Sequence, residues 1–115
     1  MKRVLVCGGR DYHDAKHVWD VLDLVHAKRG VAVLIHGAAR GADCIAAAWA
    51  ADRSVPAEAY PADWQRDGKR AGPMRNAKML AEGKPDAVVA FPGGRGTADM
   101  VRRAQAAGLP VWEAL

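Results

Sequence analysis

Short apolar runs alternate along this chain with longer segments whose apolar residues recur every three or four positions. Val4-Leu5-Val6, Val31-Ala32-Val33-Leu34-Ile35 and Ala87-Val88-Val89-Ala90-Phe91 are continuous enough for buried strands and too short for helices. They predict strands over about Arg3–Cys7, Ala32–Ile35 and Asp86–Phe91, with shorter ones over about Ala57–Tyr60 and Pro110–Glu113. Between them, Val18, Val21, Leu22 and Val25 share one face of a helix over about Asp14–Lys28, with Asp14 as N-cap and Gly30 as stop. Ala42, Ile45, Ala46 and Trp49 share a face over about Gly41–Arg53. A third helix is predicted over Pro73–Glu82, with Pro73 at its first position, and a fourth from just after Thr97 to near Gly108. The longest irregular stretch is Pro61–Gly72, a polar segment carrying Trp64, Arg66, Lys69 and Arg70, and long loops in compact domains are often functional.

The order β-α-β-α-β-α-β-α-β, joined by right-handed crossovers, predicts an α/β three-layer sandwich with a five-stranded parallel sheet. The expected strand order is 3-2-1-4-5, which places the topological switch point between the first and fourth strands. The expected organisation is one domain over residues 1–115, without linker, repeat or low-complexity tract.

Half of the 115 residues are hydrophobic, enough for one core, and the formal net charge is +4. That balance suits an anionic ligand, but no run of Lys or Arg resembles a nucleic-acid-binding tail. Cys7 and Cys44 have no metal-ligand spacing and read as buried free thiols, which fits a reducing cytoplasm. Met1-Lys2-Arg3 resembles the start of a signal peptide, yet the apolar stretch after it ends at Gly8-Gly9. No apolar run approaches membrane-spanning length. The expectation is a cytoplasmic chain without membrane contact.

Three glycine-rich segments follow strand ends. They are Cys7-Gly8-Gly9-Arg10-Asp11-Tyr12, His36-Gly37-Ala38-Ala39-Arg40-Gly41-Ala42-Asp43 and Pro92-Gly93-Gly94-Arg95-Gly96-Thr97. Glycine admits close backbone approach, and the first turn of a helix points unsatisfied N–H groups at an anion. In an open parallel sheet all three meet at one edge, which predicts a phosphate-bearing ligand there. Thr97 adds a hydroxyl donor or an N-cap. No segment ends in Gly-Lys-Ser/Thr and none completes GxGxxG, so neither a P-loop nor ordinary dinucleotide binding is expected.

Other residues enter the candidate site with a structural alternative beside each. Arg10, Arg40 and Arg95 suit bidentate phosphate contacts or solvated positions. Asp11 and Asp43 suit ribose hydroxyls, and Asp43 equally a first-turn partner of the helix dipole. Tyr12 and Trp64 are base-stacking platforms or loop anchors. His36 ends a strand as a base or as a hydrogen-bonded structural group. Gly72-Pro73-Met74-Arg75-Asn76 opens a helix and adds the donors of Arg75 and Asn76. Trp19 and Trp49 lie on helices as core or interface. His13, His17 and His26 form no ligand set with carboxylates, so no metal is expected.

Pro92-Gly93-Gly94-Arg95-Gly96-Thr97 resembles the PGGxGT motif of the LOG-type phosphoribohydrolases. His36-Gly37-Ala38-Ala39-Arg40-Gly41-Ala42-Asp43 resembles the SGxAxGxD loop of the Smf/DprA DNA-processing proteins. Gly8-Gly9-Arg10-Asp11-Tyr12, Pro61-Ala62-Asp63-Trp64 and Gly72-Pro73-Met74-Arg75-Asn76 look like the small YspA-type, cpYpsA-related branch of the SLOG superfamily. The resemblance spans nearly the whole chain and implies a Rossmann-like domain for a nucleotide or nucleotide-derived ligand, often in a homo-oligomer. Arg75 matches the arginine of the phosphoribohydrolases, but their glutamate, in PGGxGTxxE, is Met100 here. Asp99 is adjacent and turned by about 100° on a helix.

The expected function is therefore nucleotide-ligand binding at the C-terminal edge of the sheet, as a sensor or ligand-processing domain. The enzyme alternative is hydrolysis of a nucleotide or its N-glycosidic bond, with Arg75 stabilising the phosphate or the transition state and Asp99 or Asp11 as the carboxylate. A third reading, single-stranded DNA binding, finds no aromatic-basic stripe to support it.

Overall fold

β1 (Lys2–Cys7), β2 (Val31–His36), β3 (Ala57–Ala59), β4 (Ala87–Ala90) and β5 (Val111–Glu113) form one parallel sheet in the order β3-β2-β1-β4-β5. This computed structural model describes residues 2–115; Met1, the first residue of the signal-like start and of the expected domain, lies outside the described residues. The architecture and strand order are those the alternation of elements predicts.

β1 is central, and its side chains alternate between two cores. Val4 and Val6 join Val18, Val21 and Leu22 of α1 (Ala15–Arg29) and Ala42, Ala46 and Trp49 of α2 (Ala42–Asp52) on one face. Leu5 and Cys7 join Met79 of α4 (Ala71–Gly83) and Met100 and Ala104 of α5 (Arg95–Ala106) on the other. Burial on both faces explains why this strand reads as a continuous apolar run. Asp14 caps α1 as expected, its Oδ1 accepting from the His17 N–H at 3.1 Å. Trp49 is core, and its Nε1 donates to Asp23 Oδ1 at 2.8 Å, tying α2 to α1.

Four expectations need correction. Cys44 is exposed, whereas Cys7 is buried. Ala42, Ala46, Trp49 and Ala50 define the buried face of α2, and Cys44 lies about 200° from Ala42 around the helix. The polar stretch Pro61–Gly72 is not irregular throughout. It holds a short helix α3 (Trp64–Asp67), capped by Asp63 through Oδ1, and a 3-10 turn over Gly68–Arg70. That turn runs straight into α4, so Pro73 is third in the helix rather than first, still within the turn where a missing N–H costs little. Lastly, α5 begins at Arg95. Gly94 is its N-cap and Thr97 lies inside the first turn, so Thr97 is not the cap.

Candidate functional site

The loops after β1 and β4 lie side by side at the switch point. Gly9 N–H donates to Pro92 O at 2.9 Å, and Ala42 N–H donates to Gly9 O at 3.2 Å, so all three glycine loops touch through backbone. Above them opens a cavity of about 750 Å³. Its walls are Gly8 to Asp11, the first turns of α4 and α5, Trp64 and Lys69, with Cys7, Ala39 and Asp43 toward the β1–β2 side.

The glycines divide into two groups. Gly41 has φ +78°, and a Cβ there would run into the Gly9 and Arg10 carbonyls. A Cβ on Gly93 would overlap Thr97 Oγ1 and the Gly9 N–H. Gly8 is closed by Ala42 and Phe91, and Gly9 by Pro92 O at 3.0 Å. These positions serve loop-to-loop packing. Gly94 and Gly96 face nothing within 4 Å and line the cavity at the start of α5. There the backbone is open to a ligand, and first-turn N–H groups have no side-chain cap.

The loop from His36 to Asp43 does not offer its first N–H groups to a ligand. Asp43 Oδ2 accepts from Gly37 N–H at 3.1 Å and Ala39 N–H at 3.3 Å. His36 Nδ1 accepts from the Ala38 N–H at 3.0 Å. Those contacts hold Ala38 at φ 57°, which a non-glycine residue rarely adopts. His36 is therefore the hydrogen-bonded structural group of the two readings. Burial pushes its pKa down against the pull of Asp43, favouring the neutral ring that this acceptor role needs. Burial pushes the Asp43 carboxyl up, opposed by the Ala39 N–H and by Arg75. Cys7 beneath the cavity is pushed up to about 12 by burial and by Asp43, so its thiol stays protonated and is a poor nucleophile.

Arg75 is the hub. Its Nη1 donates to Gly37 O at 2.6 Å and its Nε to Asn76 Oδ1 at 3.1 Å. The guanidinium packs so closely on Gly37 that a Cβ there would displace it. Among the described residues, no carboxylate lies within 4.0 Å of it. Burial and the nearby Arg10 lower its pKa, while Asp43 raises it. A half-buried guanidinium outside any ion pair, on the wall of a cavity, has donors of the kind that can grip an anion.

Asn76 is only 4% exposed and joins α4 to α5. Its Nδ2 donates to Gly96 O at 3.1 Å and to Asp99 Oδ2 at 3.0 Å. Asp99 also accepts from Arg103 Nε at 2.8 Å and Arg102 Nη2 at 2.5 Å. Burial tends to raise the Asp99 pKa, but the Asn76 hydrogen bond and the two arginines outweigh it and hold the carboxyl below its ordinary value. Met100, at the position of the phosphoribohydrolase glutamate, is fully buried in the α4–α5 core, whereas Asp99 lines the cavity.

Arg10 stacks on Trp64, its guanidinium carbon 4.7 Å from the ring centroid, and both line the cavity. Tyr12 instead packs on Phe91 at 5.8 Å between centroids and stays out of the lining, so it anchors its loop. Asp11 lines the rim and pairs with Arg40 at 3.2 Å.

Of the residues singled out from sequence, Gly8, Gly9, Arg10, Asp11, Asp43, Trp64, Arg75, Asn76, Gly94, Gly96, Thr97 and Asp99 converge on the cavity. Tyr12, His36, Gly37, Gly41, Pro92 and Gly93 lie outside its lining and build the loops behind it. Lys69 and Arg102 were missed as site residues. The spacing of Asp99 with Arg102 and Arg103, i to i+3 and i+4, is the signal that finds the clamp.

A comparison with protein families matches residues 2–66 to YAcAr, described as the YspA, cpYpsA-related SLOG family. The chain is 44% identical over 119 residues to the Gene 61 protein of Mycobacterium phage D29, covering 96% of this chain and 94% of that protein. Its fold is similar to that of Acinetobacter baumannii MurG in a crystal structure, with a TM-score of 0.62 at 14% identity. That match covers 98% of this chain and 34% of MurG, and concerns the fold alone. Five ordered motifs, the family match over more than half the chain and a full-length relative agree: the chain belongs to the YspA, cpYpsA-related SLOG family.

Proposed function

We propose that the switch-point cavity binds a nucleotide or nucleotide-derived ligand. The observation that carries this reading is Arg75, half-buried on the cavity wall with no carboxylate within 4.0 Å of its guanidinium among the described residues. The open backbone at Gly94 and Gly96 suits a phosphoryl group at the start of α5. Trp64, 47% exposed beside Arg10, suits the stacking of a base. Mass spectrometry of small molecules released from the purified protein tests the reading. A bound nucleotide supports it; a preparation that carries none and takes up none in calorimetry removes it.

Binding without N-glycosidic cleavage is the expected behaviour. Cleavage needs a carboxylate free to meet charge developing at the anomeric carbon. Asp99 is the cavity carboxylate beside the phosphoribohydrolase glutamate position, and its oxygens already accept from Asn76, Arg102 and Arg103. Incubation with nucleoside 5′-monophosphates is expected to release no free base. Release that disappears in Asp99→Asn would make the protein a hydrolase.

A further inference from the structure

Five cations line the cavity wall; Arg102 pairs with Asp99, and the other four come from four separate elements. Arg10 follows β1, Lys69 sits in the 3-10 turn, Arg75 is on α4 and Arg95 opens α5. Among the described residues, none of these four has a carboxylate within 4.0 Å. The cavity's carboxylates are committed elsewhere. Asp11 pairs with Arg40, and Asp99 with Arg102 and Arg103. Asp43 alone sets its charge against Arg75.

From this placement we infer that the site takes a ligand with two linked phosphoryl groups, one held by Arg10 and Arg75 and the other by Arg95 at the open first turn of α5. The inference rests on the nucleotide reading above and narrows it. The wall as a whole, five cations against three carboxylates, keeps a net positive charge, which favours the more highly charged anion. A phosphate monoester brings about two negative charges, and a nucleoside diphosphate about three. Arg10 is close enough to disfavour the charge on Arg75, a cost that a phosphoryl group between them removes. Gly94 and Gly96 leave space for the second group, where Arg95, Gly96 and Thr97 start the helix.

Titration calorimetry of the full chain tests this with adenosine, guanosine, cytidine and uridine 5′-mono- and 5′-diphosphates, magnesium-free, at one ionic strength. For at least one base the diphosphate is expected to bind at least about fivefold tighter than the monophosphate. At least one of Arg10→Gln and Arg95→Gln, both at exposed positions, is expected to narrow that margin. A smaller margin for every base, with monophosphate binding intact, overturns the two-group site and leaves the nucleotide reading standing. A margin that neither variant narrows overturns it too. No binding of any nucleotide overturns the inference together with the reading beneath it.

Discussion

Neighbouring glycines do opposite work in this site, and substitution separates them. Gly93 is closed in by Thr97 Oγ1 and the Gly9 N–H, so Gly93→Ala forces the β1 and β4 loops apart. It is expected to cost about 1–3 kcal/mol in chemical denaturation. Gly94 has φ −97°, open to any residue, and its Cβ would meet nothing within 4 Å. Gly94→Val is expected to stay folded, losing under about 1 kcal/mol at the cap, and to abolish nucleotide binding by filling the ligand's space. Equal nucleotide affinity in a folded Gly94→Val protein would remove this loop from the site. Asp99 titrates with a defined sign. Its pKa is lowered in the fold from an ordinary 3.8, so the ionised form stabilises the protein above that pH. The contribution is lost as the pH falls from there through the lowered folded value. Urea midpoints from neutrality down to about pH 3 should fall less steeply in Asp99→Asn than in the parent; parallel curves would show that Asp99 has no such role.

At the scale of elements, one polar side chain, Asn76, hydrogen-bonds α4 to α5 beside the cavity. Asn76 satisfies Gly96 O, Asp99 and the Arg75 Nε together. Asn76→Ala leaves these groups without that partner and is expected to cost about 1–3 kcal/mol. Asn76→Asp is expected to be worse near neutrality, since one carboxylate oxygen keeps the Arg75 Nε but the other faces the Gly96 carbonyl and the ionised Asp99, and to recover as acid protonates it. An aspartate variant no less stable than the alanine variant at neutral pH would contradict this geometry. The same elements mark what a sequence carries. Strands with both faces buried were legible because β1, β2 and β4 each carry a continuous apolar run, and the strand order followed from chain order and crossover handedness. The three loops converge as their glycines suggest. What the residues did not reveal was which glycines were taken by protein contacts. Gly41 and Gly93 carry the same local signal as Gly94, and only the neighbouring loop, distant in sequence, separates them. The helical turns between Trp64 and Arg70 were hidden for a related reason: they are polar, short and without a buried residue, so no periodicity betrays them.

For the molecule as a whole, the expectation of a homo-oligomer changes its address. Trp49 is fully buried in its own chain and cannot face a second copy. The helix layer over this face of the sheet stops short of β5. Trp112 pairs in register with Val89, a member of the core beneath α1 and α2, yet Trp112 is 42% exposed. Leu24, also exposed, lies on α1 about 20° round from His17, which packs on Phe91 at the end of β4. Leu24 thus shares the side of α1 that meets Phe91 and lies about 100° round from Asp23, which holds the α2 contact. An edge strand with an apolar flank is a surface that proteins commonly pair or cover. We propose that two copies meet there. Sedimentation equilibrium at tens of micromolar, roughly where a standard-size interface holds, is expected to give twice the chain mass of 12.3 kDa. Trp112→Lys is expected to return the single-chain mass with the fold intact. A parent protein that sediments only as a single chain would end the proposal, and a dimer indifferent to Trp112→Lys would move the interface off β5.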